Sequence, residues 1–145
     1  MSGPLLVTVA RVIAEDAHQG QHRKDGEPVT AHLGRVADRC DGNEAKAVAW
    51  LHDSFEDVPE RVKPIYWPSL IHDAVLLLTH YPAVQTYRDY IERIAMAPGE
   101  AGKLAREVKR ADLVDNLEHL TPELQTLRPR YQRALGRLTL AEVQR

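Results

Sequence analysis

Apolar residues recur along this chain at three- and four-residue intervals, the spacing that places them on one face of a helix. Leu5, Leu6, Val9, Val12 and Ile13 predict a first helix from Pro4 to Ala17. The stretch HQGQHRKDGEPV follows without apolar periodicity and holds two glycines and a proline, so a loop is expected. Thr30 is placed to cap a second helix carrying His32, Leu33, Val36 and Ala37, which ends before Asp41-Gly42. Asn43 then opens a third, running through Val48, Leu51, His52 and Phe55 until Pro59 stops it.

The segment PERVKPIYWPS holds three prolines and reads as an irregular connection. A buried helix is expected from Ser69 to Leu78, broken by Tyr81-Pro82. Thr86 and Asp89 form a capping-box pattern before a helix with Tyr90, Ile91, Ile94 and Ala95. After Pro98-Gly99 comes a long helix through Leu104, Val108, Ala111, Asp112 and Leu117. Thr121-Pro122-Glu123 starts a short helix and Pro129 opens the last. No alternating strand with a hairpin turn appears, so the expected fold is all-α, in one domain spanning residues 1–145.

Composition narrows the function classes. The 43% hydrophobic and 28% charged fractions exclude wholesale disorder. A formal charge of −2, from 19 basic and 21 acidic residues, argues against a nucleic-acid clamp. Cys40 stands alone and cannot form an internal disulfide, which fits a reducing compartment. No basic region precedes the first apolar residues, and the longest apolar run, Ala74 to Leu78, is too short for a bilayer, so a cytoplasmic protein without a membrane partner is expected.

Two words carry chemistry: LHDSFEDV and VKRADLVDNL. On a continuous helix His52 stacks with Glu56 and Asp53 with Asp57, crowding three carboxylates beside an imidazole. A divalent cation would relieve their repulsion; the competing reading is a solvated acidic helix face. Asp112 lies on an inward-looking stretch and needs a partner, either a cation shared with other ligands or a salt bridge to Arg106 or Arg110. His32, between Ala31 and Leu33, reads equally well as a satisfied core histidine.

Together, AHQGQHRKDGEPVTAHLGRVA, AWLHDSFEDV and VKRADLVDNL resemble, in order and separation, the HD-domain metal phosphohydrolases, specifically the RelA/SpoT hydrolase domain and the small alarmone hydrolases. The resemblance covers residues 17–116 and implies an HD-domain helical bundle with a single metal site between helices. It implies His32, His52, Asp53 and Asp112 as ligands of one divalent ion. Glu56 and Asp57 fall where the family's acidic pair handles the attacking water. Arg23 and Lys24 match the basic pair against the nucleotide base, and Asn116 the residue reaching the nucleoside. Lys24 and Lys109 are placed to meet phosphate charge. Two imidazoles and two carboxylates without thiolate suit Mn²⁺.

The implied function is a (p)ppGpp 3′-pyrophosphohydrolase that releases pyrophosphate and GDP or GTP. Alternatives are another nucleotide phosphohydrolase, such as a nucleotidase or an NADPH phosphatase, and a nucleotide-binding module without turnover. Retention of both Glu56 and Asp57 counts against the last. The chain departs from the family at Leu113 and Asp115, where a basic residue and an aromatic or His are usual, and at Thr79-His80. These departures put the substrate pocket in question, and Asp115 would repel a phosphate placed too close.

Overall fold

A computed structural model describes residues 3–145. The described residues form eight α-helices: α1 Gly3–Ala17, α2 Val29–Asp38, α3 Asn43–Leu51, α4 Ser54–Asp57, α5 Ser69–Leu77, α6 Tyr87–Met96, α7 Gly99–Glu118 and α8 Arg128–Val143. Three 3₁₀ turns, at Pro59–Arg61, Pro64–Tyr66 and Pro122–Leu127, each begin on a proline, whose fixed φ suits a first helical position. There is no strand among the described residues, only an isolated bridge between His22 and Pro28, so the chain is all-α.

Helix α3 is central, packed on α1, α2, α5 and α7, while α8 closes the molecule against α6 and α7. Fully buried Leu33, Val48, Val75, Ile94, Leu113 and Leu138 bring six helices into one core. Helix α1 contributes differently from the expectation. It buries Ala10, Ala14 and Ala17, whereas Leu5 and Val12 are 51% and 60% exposed. Helix α1 packs against α3, and the small residues it buries let the two backbones approach closely. Leu6, Val9 and Ile13 instead line an apolar cavity of about 480 Å³ shared with Tyr66, Trp67 and Ile71.

Several expected boundaries shift. Helix α2 starts behind Pro28 without a side-chain cap, leaving Thr30 inside its first turn. Gly42, at φ 85°, turns the chain into α3, and Asn43 is already helical. Thr86 does cap α6, accepting from the Asp89 N–H at 3.1 Å. The larger difference is in the middle of the expected third helix. It stops at Leu51, His52 and Asp53 form a turn, and α4 restarts for a single turn at Ser54.

Helix C-termini are finished by cations from elsewhere in the chain, which satisfy carbonyls that have no partner within the helix. Arg61 donates to Ala17 O and Gln19 O beyond α1, and Lys46 to Ala37 O at the end of α2. Arg93 donates to Leu77 O and Thr79 O, each at 3.0 Å, after α5. Arg106, 2% exposed, reaches Ala97 O at 2.6 Å after α6 and also pairs with Glu142 of α8.

Candidate metal centre

The break after α3 is written in side chains that compete with the helix for its own carbonyls. His52 Nδ1 donates to Ala49 O at 2.6 Å, and Ser54 Oγ donates to Leu51 O at 2.6 Å. The helical bond pattern resumes at once, with Asp57 N donating to Asp53 O and Val58 N to Ser54 O. Breaking there lets adjacent residues aim at one point. His52 Nε2 and Asp53 Oδ1 are 3.2 Å apart.

Helices α2 and α7 bring the other two candidates. His32 Nε2 lies 2.8 Å from Asp112 Oδ1, and His52 Nε2 lies 3.3 Å from the same oxygen. The imidazole rings stand edge to face with centroids 5.8 Å apart. One donor atom from each of His32, His52 and Asp53 falls within 4.8 Å of the others, so this group could hold a metal ion. Ligands with bonds of ~2.1 Å to one ion are about 3–4 Å apart, which the set approaches without rebuilding. His32, His52 and Asp112 are 3%, 2% and 5% exposed, so the centre is buried and Asp53 forms its more open side.

The donor set fits a metal in a second respect. A ligating histidine ordinarily donates its other ring N–H outward, which fixes the tautomer. His52 does so to Ala49 O, and His32 Nδ1 does so to Asp115 Oδ2 at 2.7 Å. Both Nε2 atoms therefore turn inward. In the ion-free centre the carboxylates favour the protonated form of both rings. Burial opposes a charged His52, but Asp53 and Asp112 outweigh it and lift its pKa to about 9. His32 is raised in the same way, against burial, by Asp112 and Asp115.

Asp112 is held far below the usual carboxylate range despite burial, by Lys109 and the two histidines. Its expected ion-pair partners were Arg106 or Arg110; the partner is Lys109, whose Nζ donates to Oδ2 at 2.9 Å and lies over the Tyr90 ring. Arg106 is occupied with the end of α6. Lys109 thus belongs to the centre itself.

Glu56 and Asp57 follow the His52-Asp53 turn, and the bond from Asp57 N to Asp53 O keeps the helical phase across it. They sit on α4, with Glu56 accepting the His80 N–H and Asp57 beside the Gln21 amide. Glu56 is exposed as a residue, yet enough of the site surrounds its carboxyl group to desolvate it. That desolvation and the charge of Asp53 raise it to about 7, against the His80 bond. Asp57 is raised by desolvation and Asp53 as well.

The basic loop is a hydrogen-bonded turn rather than a free strap. Arg23 N donates to Glu27 O at 2.8 Å, Gly26 N to Arg23 O at 2.9 Å, and Val29 N to Gln21 O at 3.1 Å. Arg23 Nη2 donates to Asn116 Oδ1 at 2.7 Å, joining two of the expected substrate residues one helical turn from Asp112. Lys24 is exposed at the rim of a hollow of about 190 Å³ shared with His119 and Tyr131.

Sequence reasoning missed Asp115, Arg35 and Glu27. Asp115 is fully buried and takes Arg35 Nε at 2.8 Å as well as His32; Arg35 also grips Glu27 at 2.6 Å. The signal was present, since Asp115 is three residues after Asp112 on the same inward face. Leu113, another of the departures, is in the core, 0% exposed. No protein-family model matches the chain, and no curated protein matches it. No helix among the described residues is long and apolar enough to cross a membrane.

Proposed function

We propose that this protein is a metal-dependent phosphohydrolase acting on a nucleotide, with Mn²⁺ as the ion and an HD-type arrangement of His32, His52, Asp53 and Asp112 as its ligands. The observation that carries the reading is the convergence of two buried, tautomer-fixed Nε2 atoms on Asp112 Oδ1 beside Asp53. A divalent ion bound there supplies Lewis acidity, polarising a phosphoryl oxygen and making water a better nucleophile.

The remaining work falls to this chain's side chains. Glu56, with a pKa of about 7, is suited to accept a proton from the attacking water near neutral pH. Asp57 on the same turn orients that water. Lys109 offsets charge that builds on the phosphoryl oxygens. Water adds to phosphorus as the ester P–O bond breaks, and the proton held by Glu56 passes to the departing oxygen. Arg23 occupies Asn116 Oδ1, which leaves the Asn116 NH₂ free to donate to a sugar oxygen.

The substrate we propose is (p)ppGpp, cleaved at its 3′ diphosphate to pyrophosphate and GDP or GTP, as the three matching words imply. One observation favours a second reading, a less anionic nucleotide such as a nucleoside monophosphate or NADPH. Arg23 and Arg35 are already paired with Glu27 and Asp115, so the basic turn brings little uncompensated positive charge. The place of action we propose is a reducing cytoplasm, on the ground that Cys40 is the lone cysteine and has no disulfide partner in the chain. The test is Mn²⁺-loaded protein incubated with (p)ppGpp, NADPH and nucleoside mono-, di- and triphosphates, with products identified. Pyrophosphate with GDP or GTP supports the first reading; orthophosphate from a monoester supports the second. No turnover of any nucleotide overturns both.

A further inference from the structure

Asp115 is a carboxylate with no solvent exposure, and both its oxygens are used. Oδ2 accepts from His32 Nδ1 at 2.7 Å and from Arg35 Nη2 at 3.0 Å, while Oδ1 accepts from Arg35 Nε at 2.8 Å. Arg23 Nη1 stands 3.7 Å away. Burying such a group carries a desolvation penalty that an apolar side chain, like its neighbour Leu113, would avoid. What the carboxylate adds is direction. It fixes which nitrogen of His32 carries the proton, stops the ring turning over, and makes Nε2 a stronger donor.

The same charge reaches the basic turn. Arg35 spans Asp115 and Glu27, donating to Glu27 Oε1 at 2.6 Å and Oε2 at 3.0 Å. The Glu27 carboxylate in turn accepts from Arg23 Nη1 at 3.3 Å, and its carbonyl accepts the Arg23 N–H. His32, Asp115, Arg35, Glu27 and Arg23 form one unbroken chain of charge-assisted contacts from the metal centre to the substrate loop.

Taking His32 as a metal ligand, as proposed above, we propose that Asp115 is a positioning residue that orients His32 for the ion and ties the Arg23–Lys24 turn to the same centre. Filling the centre then steadies the turn, and loosening Asp115 weakens both.

Asp115→Asn keeps the shape and an acceptor oxygen but removes the charge. Calorimetric titration with Mn²⁺ should show affinity lower by roughly 10–100-fold in this variant, with the fold intact by circular dichroism. Hydrogen exchange at the Arg23 and Gly26 amides should slow on Mn²⁺ binding in the wild type and not in Asp115→Asn. Arg35→Gln should lose the protection of the turn while keeping more of the metal affinity. A folded Asp115→Asn protein with wild-type Mn²⁺ affinity overturns the proposal. Nitrogen NMR of the wild type with Zn²⁺ gives an answer that needs no variant. A slowly exchanging Nδ1 proton on His32 supports it, and coordination through Nδ1 overturns it. Wild-type protein that binds no divalent ion removes the metal reading itself, a result distinct from an unchanged Asp115→Asn affinity.

Discussion

Loading the centre with Mn²⁺ should expel protons. A histidine must be neutral to ligate, yet the ion-free His52 has a pKa of about 9 because Asp53 and Asp112 face it. At pH 7 it lies about two units below that value and is ~99% protonated. Neutralising it costs on the order of 3 kcal/mol, an affinity roughly 100-fold weaker than the alkaline limit. His32, also raised, adds to the release. Apparent affinity should climb about tenfold per pH unit for each proton displaced, then flatten above pH ~9. The stability of the ion-free fold runs the other way. The folded-state pKa of His52 exceeds its ordinary 6.5, so its contribution is full below pH 6.5 and is lost as pH rises through about 9. The assay is titration calorimetry at pH 7 in three buffers of different ionisation enthalpy, which counts protons, paired with urea melts of chelator-treated protein. At least one proton per ion is expected. Heats independent of the buffer, with an affinity flat between pH 6.5 and 8.5, would refute the reasoning.

Asp53→Ala and Asp112→Ala should each remove bound metal and turnover together, measured by metal analysis of the dialysed protein beside the rate assay. Glu56→Gln or Asp57→Asn should leave metal content nearly intact and lower turnover by ~10²–10⁴-fold. The wild-type rate should rise through pH ~7 as Glu56 ionises, a limb that Glu56→Gln abolishes. Leu138→Ala, at a fully buried position where α8 meets the core, should cost about 2–5 kcal/mol in a denaturant melt without changing metal affinity.

Helices were legible because each buries a periodic face, and α6 was legible to its cap because Thr86 and Asp89 act locally. The break at His52-Asp53 was not. Val48, Leu51 and Phe55 keep helical spacing across it, and the bond from Asp57 N to Asp53 O preserves the phase, so periodicity is blind to the interruption. What decides it is competition by His52 and Ser54 for the carbonyls of α3, a short-range event that apolar spacing does not encode. On α1 the reading favoured large residues, while packing selected alanines because α3 passes close by. At the site, the candidate ligands were nameable from the words that contain them. The inward face of Asp115 was legible from its spacing to Asp112, but its partner was not, since His32 is 83 residues away and pairing over such a distance leaves no trace in local pattern. Lys109 was placed against phosphate; its i, i+3 spacing to Asp112 also put that carboxylate within reach.

The cations that finish the helices also bear on where this chain can change length. Each residue added to a helix end rotates its last carbonyls by about 100° about the axis, away from a guanidinium fixed on another element. Leu77 and Thr79 are tied to Arg93, Ala97 to Arg106, and Ala95 to Arg145, so insertions at the ends of α5 and α6 are disfavoured by contacts that lie outside those helices. Between these ties the stretch Tyr81 to Val84 is exposed, and its one backbone bond, Val84 N to Tyr81 O, closes on itself. Length variation among natural versions of this fold, or a grafted tag or reporter, has its natural home there, with the helices around the candidate metal centre left in register.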